Sequence, residues 1–188
     1  MKLRERYAME GAMGCREING DAVLRDAGKE DIPLILEFIR GLAEYEHLSD
    51  QVSATEHDLE KHLFRGGAAE VLICEYQGKP AGFALYFHTF STFLGKPGIY
   101  IEDLFIKPEY RGKGLGATLF ARIAAIAAER GCGRLEWSCL GWNEPSIRFY
   151  KSRGGQALDE WTMYRIAGDA LKKLAEPAVS AGTGSEQS

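Results

Sequence analysis

Arg111-Gly112-Lys113-Gly114-Leu115-Gly116 sets three glycines at alternate positions between an apolar run ending at Ile106 and a stretch of helical periodicity. A helix N-terminus exposes unpaired backbone N–H groups and a partial positive charge. Glycines there let phosphate oxygens approach the backbone, and Arg111 and Lys113 add charge, so the hexapeptide is a candidate diphosphate cradle. A tight strand-to-helix turn with positive φ accounts for one or two of the glycines without any ligand. Two other phosphate-binding designs fail on spacing. A Walker A loop needs Gly-x4-Gly-Lys followed by Ser or Thr, whereas Lys113 precedes Gly114. A dinucleotide fold needs Gly-x-Gly-x-x-Gly and two halves of a doubly wound sheet. Glu136 lies at a suitable separation, but it falls mid-strand and the glycine spacing is wrong.

Downstream of the hexapeptide, Leu115, Leu119, Ile123 and Ile126 form one helical stripe to about Arg130, with Gly131 as its stop. A strand is expected over Arg134–Leu140, and a helix from Asn143 or Glu144 to Arg153 with Pro145 in its first turn. Another strand around Trp161–Ile166 and a last helix through Leu171 and Leu174 follow. Upstream, Gly98–Ile106 is apolar on both sides of Glu102 and Asp103, as expected of a central strand covered on both faces. Ala69–Tyr76 and Pro80–Phe90, joined by Gln77-Gly78-Lys79, form a predicted antiparallel hairpin. Ile32, Ile35, Leu36, Ile39, Leu42 and Ala43 mark a helix over about Lys29–Glu46, with Pro33 in its first turn. Thr55 and Asp58 can cap a short helix reaching about Phe64, and a short strand is expected near Ala22–Arg25. Strands paired early and strand-helix-strand later give an α+β class, a mixed sheet of about six to seven strands with helices on both faces.

The 188 residues suit a single domain, expected over residues 22–176, between a loosely ordered extension at 1–21 and a disordered tail at 177–188. Apolar residues at 45%, charged residues at 27% and a net charge of −4 argue against a nucleic-acid groove and tolerate cationic ligands. His47, His57, His62 and His88 make no HExxH motif, and Cys15, Cys74, Cys132 and Cys139 make no CxxC pair, so no metal is expected. No apolar run approaches the length of about 18 residues that a membrane span requires, and the opening MKLRERY lacks an apolar leader core. A cytoplasmic protein is the expectation.

The hexapeptide matches the signature Arg/Gln-x-x-Gly-x-Gly/Ala at Arg111, Gly114 and Gly116, and resembles the GNAT family of N-acetyltransferases. The likeness spans about Val23 to Ala175. It includes Tyr100–Ile106, Pro108–Gly116 and Trp142–Lys151, which are similar to the diamine (spermidine/spermine) acetyltransferase branch. This resemblance implies acetyl-CoA as cosubstrate and a homodimer. Leu104, Phe105 and Ile106 would pair with the pantetheine arm as an added strand. Arg111, Gly112, Lys113, Gly114, Leu115, Gly116 and Ala117 would hold the diphosphate, and Asn143, Glu144, Pro145 and Ser146 would line the same cosubstrate.

Acetyl transfer needs an amine without its extra proton, because an ammonium has no lone pair with which to attack. Alkyl amines resemble lysine, with a pKa near 10.4, so a carboxylate is wanted at the reacting centre. Glu102 stands at the family position for that base, and its alternative is a carboxylate tied up by a neighbouring cation. Tyr150 matches the family's acid within Phe149-Tyr150-Lys151 and can protonate the departing thiolate, its alternative being a helix aromatic that only packs. Tyr45, Glu46, Asp103, Glu160 and Trp161 resemble the group that surrounds the amine, joined by Glu136, Trp137 and Ser138. The family's Glu-Gly-Trp spacing differs from Asp159-Glu160-Trp161 here. Polyamine enzymes carry an acid in the loop held by Ser91-Thr92-Phe93, and the serine version is similar to the thialysine acetyltransferase branch. A lysine-like amino acid therefore leads, with short diamines second. The competing readings are a peptide lysine or N-terminal acetyltransferase and a non-catalytic acyl-CoA-binding module.

Overall fold

Arg25 extends both ways to hold the first helix on the sheet. Its guanidinium donates to the Asp31 carboxylate at 2.7 and 2.8 Å and to Glu75 at 2.8 Å. The two bonds from Arg25 to Asp31, with one from the Gly28 amide, hold the Asp31 carboxyl below its ordinary range. Asp31 closes a short 3-10 turn that leads into α1, Ile32–Tyr45, with Pro33 in the first turn as its pattern predicts. The computed structural model describes residues 16–18 and 21–176, so the expected extension at 1–21 and tail at 177–188 lie almost wholly outside the described residues. Contacts cluster into two units, Met1–Ser138 and Cys139–Ser188.

The first unit holds the sheet. Its strands are β1 (Arg16–Ile18), β2 (Ala22–Asp26), β3 (Glu70–Tyr76), β4 (Lys79–Ser91), β5 (Lys96–Ile106) and β6 (Leu135–Trp137), laid side by side in chain order. All neighbours are antiparallel except β5 and β6, which run parallel because a helix, Leu115–Glu129, crosses between them. Gln77 and Gly78 turn the β3–β4 hairpin with φ of 51° and 71°, the left-handed geometry that a tight hairpin demands.

α1 covers one face of the sheet. Ile32, Ile35, Leu36 and Phe38 bury against Val71, Ile73, Phe83, Leu85 and Phe105, with Leu59 and Leu63 filling the flank. Phe38 stacks on Phe83 at 5.3 Å between ring centres and meets Phe105 edge-on at 6.4 Å. Leu59 belongs to α2, Glu56–Leu59, which Thr55 and Asp58 cap reciprocally as the sequence predicts. Its continuation, Glu60–Arg65, is wound as a π-helix rather than the expected α-helix. The intervening strand residues face the other way, where α3, Leu115–Glu129, packs over β3 and β5. Arg130, at its end, donates to both oxygens of Glu70 at 2.6 and 2.8 Å and so pins α3 to the start of β3.

The second unit contains α4, Glu144–Ser152, and α5, Gly168–Ala175. Two expectations need correcting. The strand placed at Arg134–Leu140 is only Leu135–Trp137, and Trp161–Ile166 forms no strand. Alternation alone makes Trp161–Ile166 look extended, but a strand exists only through hydrogen bonds to a neighbour, and no described residue supplies them. Among the described residues the sheet has six strands, β1–β6, the first of them a three-residue strand on its edge beside the five from Ala22 to Trp137.

Gly82 of β4 lies opposite Ile106, and a β-carbon added to it would run into the Phe105 carbonyl oxygen and the Ile106 side chain. Gly82→Ala is expected to destabilise the fold by about 2 kcal/mol or more, because β5 backbone cannot yield there without breaking its ladder. Urea unfolding measures the loss, and an unchanged midpoint would show that β4 and β5 are less tightly apposed.

Candidate active site

β5 is where the sheet opens. Parallel pairing with β6 runs through Ile99, Tyr100 and Ile101 and stops there, so on that side no described strand pairs with Glu102–Ile106. On the other side β4 stays bonded, but the register slips between Leu85 and Tyr86: Leu85 faces Asp103 while Tyr86 faces Ile101. Glu102 is the extra residue of a β-bulge, which interrupts the alternation of faces. Glu102 is exposed as a result and Asp103 half-buried, although a regular strand would send one of two adjacent acids into each packed layer. The even covering expected of Gly98–Ile106 therefore fails at this point.

Asp103 has an environment unlike a surface acid. Burial first, then the negative charges of Glu102 and Glu46, push its carboxyl up to about 7. Glu46, just past the end of α1, is itself raised by burial. Three carboxylates from a bulge and a helix end thus share one neighbourhood. A cation placed among them would relieve both the repulsion and part of the desolvation cost.

The cradle follows β5 by one short turn, Pro108–Tyr110. Gly112 and Gly114 have φ of 76° and 80°, and a β-carbon at either would meet only open space. Gly114 is the N-cap of α3 and has no side chain to cap it, so its first-turn amides keep their donors for a ligand. Gly116 differs. It needs no positive φ, and a β-carbon there would make ordinary contacts of 3.8 and 3.9 Å with Ile106 and Leu104. Two of the three glycines are required by backbone conformation and the third is not. The arrangement fits a cosubstrate that is extended along its thiol arm and anionic at the diphosphate: an unpaired strand edge at Leu104, Phe105 and Ile106 leads into uncapped helix amides at Leu115, Gly116 and Ala117.

The cationic side chains at the cradle are held by aromatic rings. The Arg111 Nε–H donates to the Ile106 carbonyl at 3.0 Å, and its guanidinium lies 4.4 Å from the centre of the Tyr45 ring. Lys113 stands 5.2 Å over the Tyr76 ring. On β6, Glu136 is engaged by Arg134 at 2.8 Å and Trp137 packs edge-on against Phe120, and just past the strand Ser138 shares a 2.6 Å hydrogen bond with the Tyr100 hydroxyl. Ser91 is buried, and its hydroxyl accepts from the Leu94 amide at 3.2 Å, closing the hairpin turn that also carries Thr92 and the exposed Phe93. That structural duty was not visible in the sequence.

In the second unit, the Asn143 side chain accepts from the Ser146 amide at 3.3 Å and caps α4. Glu144 pairs with Arg148 at 3.7 Å, and Pro145 occupies the first turn. Tyr150 lies on α4 with its ring edge-on to Phe149 at 5.2 Å. Glu160 and Trp161 sit in a turn closed by a bond from the Trp161 amide to the Leu158 carbonyl. Among the described residues no group of three or more His, Cys, Asp and Glu side chains is arranged to hold a metal, and no helix is long and apolar enough to cross a membrane.

Residues 36–154 match the model of the Acetyltransferase (GNAT) family. The chain is 39% identical over 165 residues to a thialysine N-epsilon-acetyltransferase of Bos taurus, covering 81% of this chain and 96% of the relative. An L-ornithine N5-acetyltransferase of Arabidopsis thaliana is 30% identical over 197 residues, covering 80% and 86%. Among solved structures, an integron cassette protein from the mobile metagenome of V. cholerae superimposes with a TM-score of 0.69 at 31% identity, covering 84% of this chain and 99% of that one. With an opened β5, an uncapped glycine turn and these relatives all in agreement, the chain belongs to the GNAT acetyltransferase family and is an acetyl-transfer enzyme.

Proposed function

We propose that this enzyme moves the acetyl group of acetyl-CoA to the primary amine of a small cationic metabolite, by direct transfer with both substrates bound. A lysine-like amino acid of the thialysine kind is the leading acceptor, and short diamines come second. The observation that carries the reading is the carboxylate group of Glu102, Asp103 and Glu46, set at the bulge where β5 leaves β6 and just before the glycine turn. The residues that would hold acetyl-CoA are those of the β5 edge and the α3 N-terminus, with Asn143–Ser146 of the second unit as further candidates. Bound there, it supplies an activated thioester.

Glu102 is our candidate for drawing the proton from the amine, directly or through water, because the bulge leaves it exposed beside the cation-attracting Asp103. Tyr150 is our candidate for delivering a proton to the departing sulfur, through its phenolic O–H donor. Positioning two bound reactants supplies much of the remaining acceleration. Tyr45, Glu46, Asp103, Glu160 and Trp161 are our proposed amine contacts. Ser91-Thr92-Phe93 carries no acid, which spares the carboxylate of an amino-acid substrate from repulsion. The relatives that act on thialysine and ornithine support the same acceptor class. We take residues 22–176 as the catalytic domain and a cytoplasmic homodimer as the working assembly.

Incubating the purified protein with acetyl-CoA and thialysine, lysine, ornithine, putrescine, spermidine or a lysine peptide, while following thiol release, tests the reading. Thialysine or lysine is expected to react fastest. Turnover confined to the peptide would overturn it. Tyr150→Phe is expected to lower kcat by roughly tenfold or more with CoA affinity held, as the loss of a proton donor requires.

The position of Asp103 also sets a pH dependence. Below about 7 its carboxyl is neutral in the free enzyme, and above it the ionised group attracts the ammonium, which stays charged up to about 10. Thialysine affinity, measured by calorimetry in the presence of CoA, is expected to tighten roughly three- to ninefold from pH 6 to pH 8 in the native protein. Asp103→Asn should flatten that rise, and a variant that keeps it would remove Asp103 from the amine site.

A further inference from the structure

Arg111 opens the glycine turn and is exposed, yet its side chain is engaged at several points. It turns back across β5: the Nε–H bonds the Ile106 carbonyl at 3.0 Å, and the guanidinium lies 4.4 Å from the Tyr45 ring centre and 5.8 Å from that of Phe105. Tyr45 is the last residue of α1, and Glu46 follows it. A cation held on the face of a tyrosine is attracted by the ring's electron density, and the carbonyl end of a helix favours the same charge. The backbone just beyond is unusual. His47 takes a φ of 60°, a left-handed conformation that is costly for a residue with a β-carbon, and persists only where neighbouring contacts fix it. Bonds from the Leu48 amide to the Ala43 carbonyl at 2.8 Å and from Glu46 to Leu42 at 2.9 Å close that corner. Near its end, α1 also lies so close to β5 that a β-carbon on Gly41 would come within 3.1 Å of the Phe105 ring.

We propose that the Arg111–Tyr45 contact couples the two halves of the acetyl-transfer site. Arg111 and Tyr45 are positioning residues: they seat the end of α1, and with it Glu46, against Asp103 when the Arg111–Gly116 turn takes up the diphosphate. Amine affinity is therefore greater on the cofactor-loaded enzyme than on the empty one, and by thermodynamic reciprocity the amine tightens cofactor binding by the same factor. The inference rests on the acetyl-transfer reading and adds to it a physical link from phosphate turn to amine wall. Phenylalanine keeps an aromatic face and leucine does not, so the pair separates the ring contact from the phenol.

The experiment is calorimetric titration of thialysine into the full chain, with and without saturating CoA, which allows binding but no turnover. The quantity read is the ratio of the two dissociation constants, which cancels any direct contact between Tyr45 and the amine. In the native protein we expect CoA to tighten thialysine at least about fivefold, within the usual span of coupled sites. Tyr45→Phe should keep that ratio and Tyr45→Leu should bring it below about twofold at unchanged thermal stability. Should Tyr45→Leu not fold, Arg111→Gln is read in its place with the same expectation. A native ratio near one, or a native-like ratio in a folded Tyr45→Leu or Arg111→Gln, would overturn the coupling while leaving acetyl transfer intact. Absence of any CoA binding by the native protein would overturn the acetyl-transfer reading itself, and the coupling with it.

Discussion

Among the described residues, strand pairing on one edge of β5 ends at Ile101, and the proposed site rests on that interruption. Buried peptide groups require partners, so a strand in the middle of a sheet that loses one neighbour has donors and acceptors to offer. Here the neighbour is lost because β6 is only three residues long and pairs with Ile99, Tyr100 and Ile101 alone. The opposite edge stays tied to β4 up to Ile106, interrupted by the bulge at Glu102. That open edge suits an extended ligand arm, and the short turn that follows leads to the uncapped amides of α3.

The bulge at Glu102 belongs to the same constraint. Two adjacent acids in a regular central strand would each be driven into an apolar layer, at a cost that the fold could not bear cheaply. The register slip at Leu85 and Tyr86 leaves Glu102 in solvent and Asp103 partly covered. Glu46 then reaches the same neighbourhood from α1, so that a patch unfavourable to anions is assembled from residues far apart in the chain. Repulsion among these groups would be relieved by a positively charged occupant, which is the basis of the acceptor class proposed above.

Aromatic rings manage the positive charge nearby. Arg111 rests on Tyr45 and Lys113 on Tyr76, so each cation of the turn is tied to an element outside it. The two cations in the signature are therefore not simple counter-charges, and part of the effect of replacing Arg111 would pass through α1.

Local physics made much of this legible in the sequence. The left-handed glycines at 112 and 114, the stripe from Leu115 to Ile126, the Thr55–Asp58 cap and the Gln77-Gly78 turn each depend on neighbours within a few residues, and each is where the pattern placed it. The adjacent acids Glu102 and Asp103 were visible as an anomaly, and the family signature gave that anomaly a use. Tertiary structure alone decided what depends on distant partners: the bulge that aims the two acids, the seat of Arg111 on Tyr45, the capping duty of Ser91, and the failure of Trp161–Ile166 to become a strand. The reason is common to all four. Turns and caps are settled by bonds within one stretch of chain, whereas register, stacking and sheet membership are settled by what the rest of the fold brings alongside.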